Sequence, residues 1–224
     1  MSYTEFLAQH GSRLLDGTWI TAQQTVLSIL LAVALAVLMG LMRLSGNFFV
    51  RGVAGCYIEL FRGTSLLVQL YWIFFVLPLF GLTLEKFVAG FVAVGMNLGA
   101  YGAEVVRGAI QSVPRGQYEA SIALNLSPIT RMRRIIFPQA ILIMIPQWGN
   151  LFIELLKATA LVSLISVADL MFQAKQINAS TFLSAQAFGT ALVIYYIMAR
   201  LIVTPIMRWF EEYMARQMGR TGGR

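Results

Sequence analysis

The side chains able to do chemistry lie in segments that are otherwise apolar. Gln69, Asn97, Tyr101, Glu104, Gln147, Asn150, Glu154, Lys157 and Thr159 are the polar residues within long hydrophobic runs. Such groups are expensive in a bilayer and face a bundle interior or a solute path. Asn97, Tyr101 and Glu104 follow at spacings of four and three, which is one helical face. Tyr101 offers a hydroxyl and a ring to a zwitterionic solute. Glu104 stands three residues before Arg107, a spacing that suits a structural ion pair. Glu154 and Lys157, also three apart, read either as an internal ion pair or as a substrate contact. The ordinary alternative for Asn97 and Tyr101 is helix-to-helix hydrogen bonding.

The elements that must position them are five apolar segments between about residues 19 and 205. The chain has 224 residues, 58% hydrophobic and 12% charged, against about 25% charged in a soluble domain. Five spans of roughly 20 residues leave no room for a second folded domain. The expected spans are 19–41, 66–80, 87–106, 139–156 and 182–206. Glu59 and Arg62 precede the second and share a face. Glycines and alanines at Gly90, Gly95, Gly99, Ala100, Gly102 and Ala103 suit close helix contact. Spans three and five are therefore the candidates for a central interface with a second permease.

Orientation follows from the arginines. Arg43, Arg51 and Arg62, then Arg107, Arg115, Arg131, Arg133 and Arg134, then Arg200, Arg208, Arg216, Arg220 and Arg224 fall on alternate connectors and the tail. Arg13, Lys86 and Lys175 are the basic residues of the opposite set. Basic residues near span ends stay in the cytoplasm, so the N-terminus is expected in the periplasm and the C-terminus inside. The same argument accounts for the net charge of +7 through topology and anionic lipid. No nucleic-acid motif accompanies it. One cysteine, Cys56, excludes an intramolecular disulfide. Residues 1–18 are polar, unlike a signal peptide. Phe6, Leu7, Leu14 and Leu15 there can lay an amphipathic lead-in on the membrane surface. Residues 211–224 form a tail, loose from 218 onward.

The connector 108–138 has its own organisation. Pro114 and Gly116 break its first part, and 118–124 reads as a short helix. Residues 125–128 form a turn, with Ser127-Pro128 starting a second short helix over 129–136. Arg131, Arg133 and Arg134 lie on its surface, and Pro138 opens the next span. A polar connector with paired short helices suggests a docking surface.

That stretch, with Glu119-Ala120-Ser121 and the closing Phe137-Pro138, resembles the signature loop of permease subunits of bacterial ATP-driven (ABC) importers in the polar amino acid uptake family. Asn125 stands where the family has glycine; both tolerate left-handed backbone. Glu59-Leu60-Phe61-Arg62-Gly63-Thr64-Ser65-Leu66-Leu67-Val68-Gln69 resembles the start of the family's second span, with Ser65 where proline is usual. Residues 152–161 resemble its segment after span four. The resemblance implies an all-α membrane protein with the five transmembrane helices of the type I ABC importer permease fold, in the bacterial inner membrane. It implies a domain over 19–210 whose loop 108–138 couples to an ATPase through Gly116, Glu119, Ala120, Ser121, Asn125, Ser127, Pro128, Arg131, Arg134 and Pro138. Glu119 is expected to accept hydrogen bonds that fix the two short helices together. The path candidates are Gln69, Asn97, Tyr101, Glu154, Lys157 and Thr159.

The implied partners are two ATP-binding subunits, a second permease (a sister chain or a self-copy), a periplasmic solute-binding protein and membrane lipid. No G-x-x-x-x-G-K-[ST] stretch is present to cradle phosphates. The chain is expected to bind no cofactor and to be no enzyme, with ATP and magnesium at the partner ATPase. More narrowly, Val68–Pro78 resembles permeases assigned to ectoine and hydroxyectoine uptake, so the cargo is an ectoine-type compatible solute or a polar amino acid. A secondary transporter subunit, or a non-conducting assembly protein, is the rival reading. Neither explains both the loop and the intramembrane polar set.

Overall fold

The computed structural model describes residues 2–217. The expected looseness of 218–224 concerns residues outside those described. Every element is helical: α1 (Tyr3–Arg43), α2 (Phe48–Gly63), α3 (Leu66–Tyr71), α4 (Lys86–Gln111), α5 (Arg115–Ala123), α6 (Pro128–Arg131), α7 (Phe137–Ala158), α8 (Leu170–Thr181), α9 (Ser184–Ile197) and α10 (Thr204–Gln217). Turns of π-helix at Trp72–Val76, Met132–Ile136 and Met198–Val203 carry the helices onward, as do 3-10 turns at Leu77–Phe80 and Thr159–Ile165. Four continuous helices are long and apolar enough to cross a membrane, and the bent pair α2–α3 makes a fifth candidate.

Span one differs from expectation. Ser2 caps α1 through a reciprocal capping box with Glu5, and the helix runs unbroken for 41 residues. The lead-in and the span are one rod. Phe6 and Leu14 are buried with Leu170, Ile177, Ala187 and Ala191 of α8 and α9. Leu7 and Leu15 remain exposed. The apolar face foreseen for the membrane surface is thus divided between packing and exposure.

Span two is broken. Leu66–Phe80 departs from α2 by 107°, and α2 begins at Phe48, capped by Asn47. Between spans four and five lies helix α8, with Asp169 as its N-cap accepting from the Phe172 amide. Span five continues as Ser184–Arg216, so Arg200, expected in the tail, lies inside the helix. The proline expectation at span four also changes. Helix Pro128–Ile165 is continuous, and Pro138 lies within it. The π turn before it, closed by Phe137 N–H to Met132 O, accommodates a residue that has no amide to donate.

The glycines of α4 serve contacts inside the chain. A Cβ on Gly95 would sit 2.9 Å from Leu31 of α1, and one on Gly102 would sit 2.7 Å from Trp148 and 2.8 Å from Ala36. Reciprocally, a Cβ on Gly40 of α1 would meet Ala103 O at 2.8 Å. Span three is the buried centre of one protomer, so its glycine face is not free to form the interface foreseen for it.

Two apolar cores mark the two ends of the bundle. One joins Ala36, Val106, Ile110, Val113, Ile136 and Met144 beside the α5–α6 connector. The other is the cluster of α1, α8 and α9 around Phe6.

Candidate functional site

The connector is built on the end of α4. Val113 is buried there, and Pro114 starts α5. The Tyr118 hydroxyl donates to Ile110 O at 3.2 Å, and Ser121 Oγ donates to Tyr118 O at 2.6 Å. Burial pushes the Tyr118 phenol up, and the nearby Arg131 charge draws it partly back. α5 ends in a full Schellman closure. Leu126 N–H donates to Ser121 O at 3.1 Å and Asn125 N–H to Ile122 O at 2.8 Å. Asn125 holds φ 54°, the left-handed angle that a glycine would adopt and that asparagine tolerates. Ser127 then caps α6 by accepting from Thr130 N–H, with Pro128 in the first turn.

Three expectations for this connector change. Only α5 is a separate short helix, because α6 and the π turn run into α7. Arg131 folds inward and donates to Leu126 O at 3.4 Å, leaving Arg133 and Arg134 exposed. Glu119 is exposed and makes no hydrogen bond or ion pair among the described residues. Glu119 faces solvent from the middle of α5, so the helices are fixed by Tyr118, Ser121 and Asn125 instead. Gly116, Ala120 and Pro128 are exposed along the same ledge, and Pro138 is half-buried. Ile122, Leu124 and Ile129 stand 58%, 71% and 79% exposed there.

The polar residues of the spans divide into four groups. Gln69 and Asn97 form one network at the break of span two. Asn97 Nδ2 donates to Phe61 O and to Gln69 Oε1, both at 3.0 Å. Gln69 Nε2 donates to Phe61 O at 2.9 Å and Thr64 Oγ1 at 2.6 Å. A helix broken at membrane depth leaves carbonyls without intrahelical donors, and these amides satisfy them. Beside the break lies an apolar cleft of about 550 Å³ lined by Phe61, Val68, Trp72, Ile73 and Met96.

Tyr101 lies under the Arg62 guanidinium, 5.3 Å from its ring centre. Arg62 therefore does not serve Glu59, whose partner is Arg43 at 3.8 Å. Glu104 accepts from Arg107 Nε at 3.0 Å and from Nη2 at 2.6 Å, as the spacing of three foretold. Glu104, Arg107, Arg43, Arg51, Arg62 and Gln111 edge a polar cleft near the connector.

Thr159 is fully buried and donates to Leu156 O at 2.7 Å, so it contacts no open path in this protomer. It lies near Tyr195, whose hydroxyl donates to Asp169 Oδ2 at 3.4 Å. Burial pushes the Asp169 carboxyl up to about 6, against the Phe172 and Met171 amides that favour its charge. This buried acid was missed in the sequence, although an Asp immediately ahead of an apolar run is a cap signal.

Glu154 and Lys157 are both exposed, and among the described residues they form no ion pair. They stand on the outward stripe of α7 with Asn150.

The comparisons agree with this arrangement. A model of the family described as binding-protein-dependent transport system inner membrane component matches residues 11–216. A probable amino-acid ABC transporter permease protein, y4tF of Sinorhizobium fredii, is 46% identical over 207 residues, covering 86% of this chain and 87% of that one. The L-cystine transport system permease protein TcyB of Bacillus subtilis is 36% identical over 204 residues, covering 89% and 87%. A crystal structure of an amino acid ABC transporter with histidines superposes with a TM-score of 0.87 at 35% identity, over 95% of this chain and 99% of that one. The MetNI methionine ABC transporter, at 19% identity and a TM-score of 0.73 over 90% and 95%, shares the fold. This chain belongs to the family of inner-membrane components of binding-protein-dependent transport systems.

Proposed function

We propose that the chain is one half of a permease pair that carries a polar amino acid or a like zwitterion, delivered by a periplasmic binding protein, into the cytoplasm. It is a multi-pass inner-membrane permease subunit without catalytic activity; hydrolysis belongs to a separate ATPase. The observation that carries the coupling role is the ledge of Ile122, Leu124 and Ile129. These large aliphatic residues are exposed on an otherwise polar connector, and such a patch calls for a protein partner. Glu119, Ala120, Gly116, Arg134 and the Ser127-Pro128 turn border it. α5 rides on the end of α4 through Tyr118, so force on the ledge reaches the central helix directly.

The second permease is a sister chain or a self-copy, and two ATPase subunits dock on the two ledges. Of the path candidates, Glu154 and Lys157 are the ones with charge free to meet a zwitterion. Gln69 and Asn97 support the broken span, and Tyr101 packs under Arg62. Cargo of the amino acid class is supported by relatives named for L-cystine and glutamine transport. The run Val68–Pro78, which raised ectoine, contributes apolar lining and a glutamine whose amide donor is already engaged. It does not favour ectoine over an amino acid.

The test is ATP-dependent uptake in proteoliposomes holding the chain with its permease partner, ATPase and binding protein. L-Glutamine, L-cystine, L-histidine and ectoine are supplied in turn. Uptake of an amino acid that stops when the chain is omitted is the expected result. Failure to transport any of them, together with failure of the ATPase to copurify, would sink the importer reading.

A further inference from the structure

Arg200 is a charged residue within span five for which the described residues supply no partner. It sits in the π turn Met198–Val203 of span five, is exposed, and makes no ion pair or hydrogen bond among the described residues. Two landmarks fix its depth. At 1.5 Å per residue it lies about 24 Å along the helix from Ser184 and roughly 13 Å from Trp209. Trp209 is exposed and stacks on Tyr213, as residues of an interfacial belt do. Arg200 therefore stands well inside the hydrocarbon region, about 30 Å thick, where an arginine facing lipid is costly and marks a functional site by default. A π turn inserts one extra residue and re-aims the side chains of a helix, a device that recurs at functional sites.

The re-aimed guanidinium borders a cleft of about 340 Å³ between α7 and α10, with Pro146, Asn150, Ile153, Thr204 and Arg208. Glu211 lies at the far end of the same cleft. It is three residues from Arg208 but about 16 Å along the axis from Arg200, too far to neutralise it. The helices are successive spans and run antiparallel. Gly149 packs opposite Met207, 3.6 Å from its Cβ to an ideal Cβ on the glycine. Counting from that contact at 1.5 Å per residue, Glu154 and Lys157 lie about 8 and 12 Å along α7, and Arg200 about 10 Å back along span five. Arg200 is thus level with the two unpaired charges of α7.

We propose that Arg200 is a cargo-binding residue whose guanidinium takes the carboxylate of the transported solute at the α7–α10 cleft. A guanidinium presents two parallel donors that match a carboxylate. A negatively charged group arriving there gains a partner that the resting protein does not supply. This inference rests on the importer reading above and adds to it the residue that selects for a carboxylate.

The experiment uses the assembled complex in proteoliposomes with the amino acid that the unaltered complex transports best. Arg200→Gln, Arg200→Lys and Arg216→Gln are compared. Uptake and ATP hydrolysis stimulated by the loaded binding protein are read together. The expected result is at least a tenfold loss of uptake in Arg200→Gln with stimulated hydrolysis within twofold of the parent. Arg200→Lys is expected to recover a third or more of the uptake, and Arg216→Gln to stay within twofold. Uptake unchanged in Arg200→Gln overturns the proposal while leaving the importer reading intact. Parallel loss of uptake and stimulated hydrolysis in both Arg200 variants also overturns it, because that assigns Arg200 to assembly or to the moving framework. No uptake of any amino acid by the parent complex removes the importer reading, and this proposal with it.

Discussion

Asn97 shows how a residue's role is set by what the backbone around it lacks. Its side chain donates to Phe61 O and Gln69 Oε1 at the break of span two. Asn97→Leu keeps the volume and removes the donor, leaving Gln69 Oε1 without its partner and Phe61 O with the Gln69 amide alone, at a cost of about 1–3 kcal/mol. The expected outcome is a lower thermal inactivation temperature of the purified complex, with assembly retained at low temperature. Asp169 has the opposite character, an acid held where charge is disfavoured. Its folded value near 6 lies above the ordinary 3.8. The stability that it contributes is therefore fully present below pH 3.8 and is lost as pH rises through 6. Asp169→Asn keeps a cap acceptor and removes the titration. The variant's stability relative to the parent is expected to rise by about 1–3 kcal/mol between pH 4 and 7, followed by thermal melts across that range. A flat difference would show that Asp169 does not titrate there.

Among the elements, the close pair α1–α4 and the α5 closure are the most sharply constrained. Gly102→Leu forces a side chain between Trp148 and Ala36, where even a Cβ is too close. Overpacking of this kind costs about 1–3 kcal/mol and is expected to reduce the yield of folded complex. Asn125 makes the complementary case. At φ 54° glycine is unstrained, so Asn125→Gly is expected to leave coupling within twofold. Asn125→Val puts a β-branched residue at the same angle, with about 1–3 kcal/mol of strain, and is expected to raise ATP hydrolysed per solute transported. The turn at 125–128 and the start of α6 were legible because Asn, Ser and Pro each have a local backbone preference. The π turns were not, since they arise from registry between long helices and from Pro138 and Pro205 lacking amides. The break of span two was half legible. The start expected at residue 66 matches the start of α3, but the satisfying donors Gln69 and Asn97 read as path residues in isolation. Glu154 and Lys157 failed as a pair for a related reason: spacing of three permits contact on a helix and does not compel it.

At the scale of the molecule, the alternation of arginines gives the expected direction through the membrane. With Cys56 replaced by serine, a single cysteine at Ser2 is expected to react with an impermeant maleimide applied to intact cells or spheroplasts. One at Arg216 is expected to react only after lysis. The reverse pattern would invert the topology. The four continuous spans were legible because hydropathy over about 20 residues is a strong signal. The use of the glycine face was not, because small residues admit a neighbour without saying whether it belongs to the same chain. That distinction matters most for α1. Its 41 residues make a rod about 60 Å long, twice the depth of the hydrocarbon, with no proline and no π turn inside it. Near one end Phe6 is buried among residues of α8 and α9, and near the other Gly40 sits against Ala103 and Val106. A straight beam held at both ends cannot shorten or fold. Pivoting about its middle by about 5° would carry its tips roughly 3 Å in opposite senses. In such a pivot a push on one side of the membrane would be felt on the other with its direction reversed.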